Sequence, residues 1–295
     1  MSIMVRKPKH EPLPRSLHLT HHPVPRPHAH KHAQVVACDA RPTTKQRPEP
    51  LNTVEFQKCA SRYLHIDSTK ALEVAEALYM RGILSYPRTE TNFFSDAYDL
   101  RGFVDLQCEH AEWGGYARSL MQGGSGDGGG GGFLWPRDGG QNDQAHPPIH
   151  PTKAVAPGEL SGDEKKVYEF VVRRFLACAS HDARGEQTKV CVELPVGGEA
   201  FTATGLMITH KYWLEVYPWD RWTAKRVPLM RVGDSFEPTR LEMTEGRTAP
   251  PDLLSEVRTH VHTYTRTHIH AHTHAHTYTH TCTHTHMHAQ TQCER

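Results

Sequence analysis

Apolar residues recur at helical spacing in three stretches of the chain and at every second position in a fourth, which predicts an α+β fold. Asn52 followed by Glu55 forms a capping box, and Phe56, Cys59, Ala60 and Tyr63 then share one helical face. A second helix starts at Asp67 or Ser68, turns Ala71, Leu72, Ala75, Leu78 and Tyr79 inward, and stops at Gly82. A third opens with the Ser161…Glu164 pair and carries Val167, Phe170, Val171, Phe175 and Cys178 at core spacing. After Gly185 the period falls to two, with Val190, Val192 and Leu194 on one face and Cys191 and Glu193 on the other. Phe201 to Ile208 gives a second strand beyond a turn at Gly197-Gly198, and Trp213 to Tyr217 a third, so an antiparallel sheet is expected.

Composition limits the folded part. Of 24 histidines, 18 lie in the two ends, between His10 and His32 and between His260 and His288. Residues 1–46 are rich in Pro, His and basic side chains and are expected to be disordered. From Val257 the tail alternates His with Thr and small residues and has nothing apolar to bury. An A-C nucleotide repeat read in frame would encode such a tail, and a metal-chelating tail is the competing reading. The Gly123-Gly124-Ser125-Gly126-Asp127 run, with five further glycines to 132, is expected to be a flexible insertion and lacks the form of a phosphate-binding loop. No apolar run suits a signal or a membrane span, so no membrane partner is expected. A net charge of +1 gives no argument for nucleic acid. The seven cysteines include no Cys-x-x-Cys pair, which argues against a disulfide framework and a four-cysteine zinc site.

The chemistry-bearing segment is Ser85-Tyr86-Pro87-Arg88-Thr89-Glu90-Thr91-Asn92, directly after the second helix. It sets a phenol two residues from a guanidinium. A phenol oxygen attacks phosphorus only where its ionised form is favoured, and the attacked phosphate needs a cation on its non-bridging oxygens. Taken alone, such a tyrosine is more often a packing residue whose hydroxyl finds a backbone partner. His146, among Pro147, Pro148 and Pro151, lies on a stiff loop, with His150 as its neighbour. Arg173 and Arg174 on the third helix are candidate DNA-phosphate contacts, against the plainer reading of a solvated face. Tyr116, Trp135, Trp213, Trp219 and Trp222 are either base-stacking or core aromatics.

Three blocks in order decide between these readings. Leu51-Asn52-Thr53-Val54-Glu55, then Leu78-Tyr79 leading to the Tyr86 segment, then Asp143-Gln144-Ala145-His146-Pro147-Pro148-Ile149-His150-Pro151-Thr152 resemble the central part of type IA DNA topoisomerases. The resemblance runs from about Arg47 to Glu256 and is nearest the topoisomerase III alpha group. It implies a helical tyrosine-bearing domain at 47–184, followed at 185–256 by part of an antiparallel β arch and the start of the return to the base. It also implies an ATP-independent reaction in which Tyr86 attacks single-stranded DNA and forms a 5′-phosphotyrosine, which the freed 3′-hydroxyl later reverses. Arg88 and His146 are the other catalytic residues so implied.

The same resemblance implies Mg2+ held by the acidic cluster of a Toprim domain, and the Asp-x-Asp-x-Glu acids of that cluster are absent before Tyr86. The chain is therefore expected to be a half-site, inactive alone. RecQ-type helicases, OB-fold scaffold proteins and a nuclear setting in DNA repair and recombination are implied as well. The reading from a different class is a non-enzymatic single-stranded DNA-binding or regulatory fragment.

Overall fold

The structure is a computed structural model that describes residues 2–3, 32–123, 132–156, 158–194 and 198–241. The Thr/His tail, most of the glycine run and the Pro/His segment at 4–31 lie outside the described residues. The chain divides into two compact units that interleave along the sequence. One comprises Met1–Glu49, Asp96–Arg137 and Arg173–Pro250, the other Pro50–Ser95, Asp138–Val172 and Pro251–Arg295.

The first unit is built on a four-stranded antiparallel sheet of order β4-β3-β2-β5. Its strands are β2 (Ala33–Lys45), β3 (Ala183–Glu193), β4 (Ala200–His210) and β5 (Ser235–Phe236). A separate parallel pair joins β1 (Ser2–Ile3) to β6 (Arg240–Leu241). Val190, Val192 and Leu194 alternate inward as the period-two pattern requires, and with Ala33, Val35 and Phe201 they form the sheet's buried cluster.

Strand β2 corrects the expectation that residues 1–46 lack structure. It pairs along its length with β3, from Gln34 opposite Glu193 to Lys45 opposite Ala183. Only its first residues carry apolar side chains into the core; from Asp39 on the strand is mostly polar and keeps its place by pairing with β3, which composition does not reveal. Trp213 to Tyr217 is also corrected. The segment is not a strand but a 3₁₀ turn, Tyr212–Glu215, with Trp213 fully buried and its indole N–H donating to Lys45 O at 3.1 Å. Two short helices, α3 (Leu100–Asp105) and α4 (Gly114–Gln122), were not foreseen, because Gly102, Gly114 and Gly115 break their pattern.

The second unit is helical. Helix α1 (Thr53–Cys59) is capped as expected, Asn52 Oδ1 accepting from Glu55 N at 2.9 Å. It continues through a π-helical turn, Ala60–Leu64, that ends at His65 with φ +55°. Asp67 caps α2 (Ser68–Met80) by accepting from Thr69 N and Lys70 N. Phe56 meets Phe170 of helix α5 (Gly162–Cys178) at a ring distance of 6.4 Å, and Ala71, Leu72, Ala75 and Leu78 are buried. Tyr79, expected to point inward, is 40% exposed instead. Its ring stands edge-on to the Tyr86 ring, a contact made across a loop and therefore invisible to helical periodicity.

Candidate active site

Two strips of chain in the second unit lie side by side and are stitched together at both ends. After α2 the chain turns at Gly82, whose φ of +67° suits a residue without Cβ. Ser85 N then donates to His150 O at 3.0 Å, and Ser85 Oγ accepts from His150 N at 2.9 Å. Leu84 bridges to Pro151, and Thr152 N donates to Ile83 O. At the other end Asn92 N donates to Gln141 O, Gln141 N donates to Asn92 Oδ1 at 2.8 Å, and Gly139 N donates to Asn92 O. A Cβ at Gly139 would sit 2.2 Å from the Asn92 amide, so only glycine permits this approach. The start of α1 fixes the loop from behind, Thr53 Oγ1 donating to Pro87 O and accepting from Thr89 N, both at 2.7 Å.

Between the two stitched ends stand Tyr86, Pro87 and Arg88. The half-buried Tyr86 ring lies between Tyr79, at 5.2 Å and edge-on, and His146, at 4.7 Å and tilted by 44°. Arg88 is exposed, and its Nε donates to Glu76 Oε1 of α2. That hydrogen bond is the main reason its basicity is raised further; partial desolvation opposes it, and the Glu76 charge adds a smaller attraction.

Asp143 ties the strips together at their centre. Its Oδ1 accepts from His146 N, Ala145 N and Thr91 Oγ1, and its Oδ2 from Thr89 Oγ1. Burial alone would favour the neutral acid, but these four bonds outweigh it and hold the carboxyl far below the usual carboxylate range. His146 is exposed, with Nδ1 3.8 Å from Asp143 Oδ2. His150 is 2% exposed, and burial pushes its imidazole toward the neutral form. Sequence reasoning missed Glu76 and Asp143 as site residues. Glu76 precedes Tyr79 by one helical turn, and that spacing was the available signal for it.

The structure thus brings Tyr86, Arg88 and His146 together in one unit. Arg173 and Arg174 stand in the other unit with partners inside it. Arg173 binds Glu112 at 2.9 Å, and Arg174 donates to Glu49 O and Tyr217 Oη. A phosphate would have to displace those bonds. Tyr116 is likewise engaged, its hydroxyl 2.7 Å from Ser180 Oγ. Among the described residues no group of three or more His, Cys, Asp or Glu stands together.

The sequence model of the DNA topoisomerase family matches residues 26–258, which begins upstream of Arg47 and takes in strand β2. The human "DNA topoisomerase 3-alpha" is 45% identical over 224 residues, covering 76% of this chain and 21% of the relative. The Saccharomyces cerevisiae "DNA topoisomerase 3" is 42% identical over 234 residues, covering 76% and 35%. This chain therefore spans between about a fifth and about a third of the length of these relatives. The full-length topoisomerase I structure from Thermotoga maritima superposes with a TM-score of 0.53 at 21% identity, over 70% of this chain and 33% of that one, and agrees in fold. With the family match covering most of the sequence, the chain belongs to the type IA DNA topoisomerases and is similar to the eukaryotic topoisomerase 3 branch.

Proposed function

We propose that the Tyr86 loop is the strand-cleaving half-site of a type IA topoisomerase acting on single-stranded DNA. The observation that carries this reading is the joint placement of Tyr86, Arg88 and His146 on two strips fastened to each other. Tyr86 Oη attacks the phosphorus of a phosphodiester, the P–O3′ bond breaks, and the phenolic proton is made up at the departing 3′-hydroxyl. The product is a 5′-phosphotyrosine, and attack by the same 3′-hydroxyl reverses it. One ester replaces another, so no ATP is needed. Arg88 neutralises the non-bridging oxygens, and His146 orients the phosphate beside the phenol.

On this reading the half-site is completed by a further domain, in cis or in trans, that brings the metal ligands. The same reading carries a nuclear location, with a RecQ-type helicase and an OB-fold scaffold as protein partners, to be sought by coprecipitation from nuclear extract.

The test replaces the matching segment of the human relative with residues 32–241 of this chain and adds single-stranded oligonucleotide labelled at its 3′ end. A denaturant-stable protein–DNA adduct is expected, absent from Tyr86→Phe. Salt-sensitive DNA binding with no adduct would instead support a non-enzymatic binding fragment.

A further inference from the structure

We propose that Asp143 is a positioning residue that fastens the His146 turn to the Tyr86 loop and so fixes the contact between imidazole and phenol. The catalytic consequence rests on the Tyr86 reading above, whereas the geometric claim does not. Asp143 Oδ1 holds the His146 side of the site, accepting from Ala145 N at 2.9 Å and His146 N at 2.8 Å. It also reaches the Tyr86 side, accepting from Thr91 Oγ1 at 3.0 Å, while Oδ2 accepts from Thr89 Oγ1 at 3.0 Å. The connection is reciprocal, since Asp143 N donates back to Thr91 Oγ1 at 3.0 Å. Thr91 N in turn donates to Thr89 Oγ1 at 3.0 Å, and both threonines are buried.

Only an ionised carboxylate, which accepts and does not donate, satisfies four donors at once. Thr89 Oγ1 also donates to His146 O at 3.4 Å, and Asp143 joins the His146 turn to both Thr89 and Thr91. The contact between Tyr86 and His146 is one between rings. Ring contacts set orientation weakly, so the angle between these rings is governed by the backbones that carry them. The Asp143 carboxylate makes two of the bonds that couple those backbones, both at 3.0 Å.

The series is Asp143→Ala, which removes the four bonds accepted by the carboxylate and leaves the backbone N–H of that position on Thr91 Oγ1, Asp143→Asn, which keeps one acceptor oxygen for the His146 turn, and Thr91→Val, which removes the Thr91 arm at nearly constant volume. The first readout is the imidazole proton resonance of His146 in the full chain, assigned with His146→Gln and displaced by the Tyr86 ring current. Tyr86→Leu gives its undisplaced position. Asp143→Ala is expected to move the resonance most of the way to the Tyr86→Leu position, Thr91→Val to move it less far, and Asp143→Asn to retain most of the displacement. The second readout is adduct formation in the segment exchange described above. There Asp143→Ala is expected to slow adduct formation about tenfold or more at saturating DNA with the Kd for DNA unchanged, as misplacement of reacting groups does.

An unmoved His146 resonance in a folded Asp143→Ala chain overturns the inference. If that variant does not fold, an unmoved resonance in Thr91→Val overturns it. Displaced resonances with no adduct from the wild-type exchange would defeat the Tyr86 reading and leave the positioning role standing. Adducts at the wild-type rate in Asp143→Ala would defeat the positioning role and leave the Tyr86 reading standing.

Discussion

Glu76 holds Arg88, the cation proposed above to meet the phosphate, so Glu76→Ala should tighten the chain's grip on single-stranded DNA. The side chains of Arg88 and Glu76 are 56% and 34% exposed, which makes the surroundings of the pair water-like. Two unit charges about 4 Å apart in water interact by about 1 kcal/mol. An exposed pair of this kind stabilises a fold by about 0–1 kcal/mol. Removing the carboxylate should therefore change unfolding free energy by no more than about 1 kcal/mol, since Arg88 and Glu76 belong to elements already packed by Leu78 and Ile83. For DNA the sign is opposite. Arg88 no longer has to leave a carboxylate to meet a phosphate, and about 1 kcal/mol corresponds to about a fivefold lower Kd. If the freed cation meets one more phosphate, the slope of log K against log salt should steepen by about 0.7 for a single strand. Fluorescence anisotropy with a labelled single-stranded oligonucleotide, repeated across a salt series, reads both quantities. Glu76→Gln separates charge from orientation, because its amide oxygen still accepts from Arg88 Nε while the charge is gone. Its affinity gain should match that of Glu76→Ala. Unchanged or weaker binding by both variants at low salt would refute the competition between Glu76 and phosphate. A loss of more than about 2 kcal/mol of stability would show instead that the pair holds the loop, contrary to its exposure.

Phe170→Ala should cost the helical unit about 3–5 kcal/mol in urea unfolding, because the ring is fully buried against Phe56 and truncation leaves a cavity. Asn52→Ala should cost about 1 kcal/mol through the lost cap of α1, with a second effect on the Gln141 side chain that Asn52 also contacts. Burial lowers the proton affinity of His150 in the fold, so the unfolded chain takes up a proton near pH ~6.5 that the folded chain refuses. Stability should thus be complete above that pH and fall as the solution is acidified through it, and His150→Asn should remove this slope from urea melts taken on either side. Asp143 titrates far below an ordinary carboxylate, so its contribution is present above pH ~3.9 and is lost on further acidification; Asp143→Asn should flatten that acid limb.

Much of the fold was legible because it is local. The caps at Asn52 and Asp67, the stop at Gly82, the core face of α5 and the alternation of Val190 and Val192 are each set by residues a few positions apart, where backbone donors and side-chain periodicity act directly. The pairing of a phenol with a guanidinium two residues on was legible for the same reason. Strand β2 was not, because most of its residues owe their place to a partner strand about 150 positions away rather than to apolar side chains. Trp213 misled because a buried aromatic followed by apolar neighbours fits a strand as well as a tight turn, and only its bond to Lys45 O distinguishes them.

The sequence by itself determined the helices of the second unit, two strands of the sheet, and the residue types able to attack and neutralise a phosphodiester. Tertiary structure decided which of them meet. It laid the His146 strip against the Tyr86 strip, gave Arg88 to Glu76, left Tyr79 at the surface against the Tyr86 ring, and turned Arg174 into a buried strut. The physical reason is that helical and strand periods fix which face a side chain occupies, whereas contacts across a loop depend on hydrogen bonds between segments far apart in the chain, and no local pattern encodes those partners.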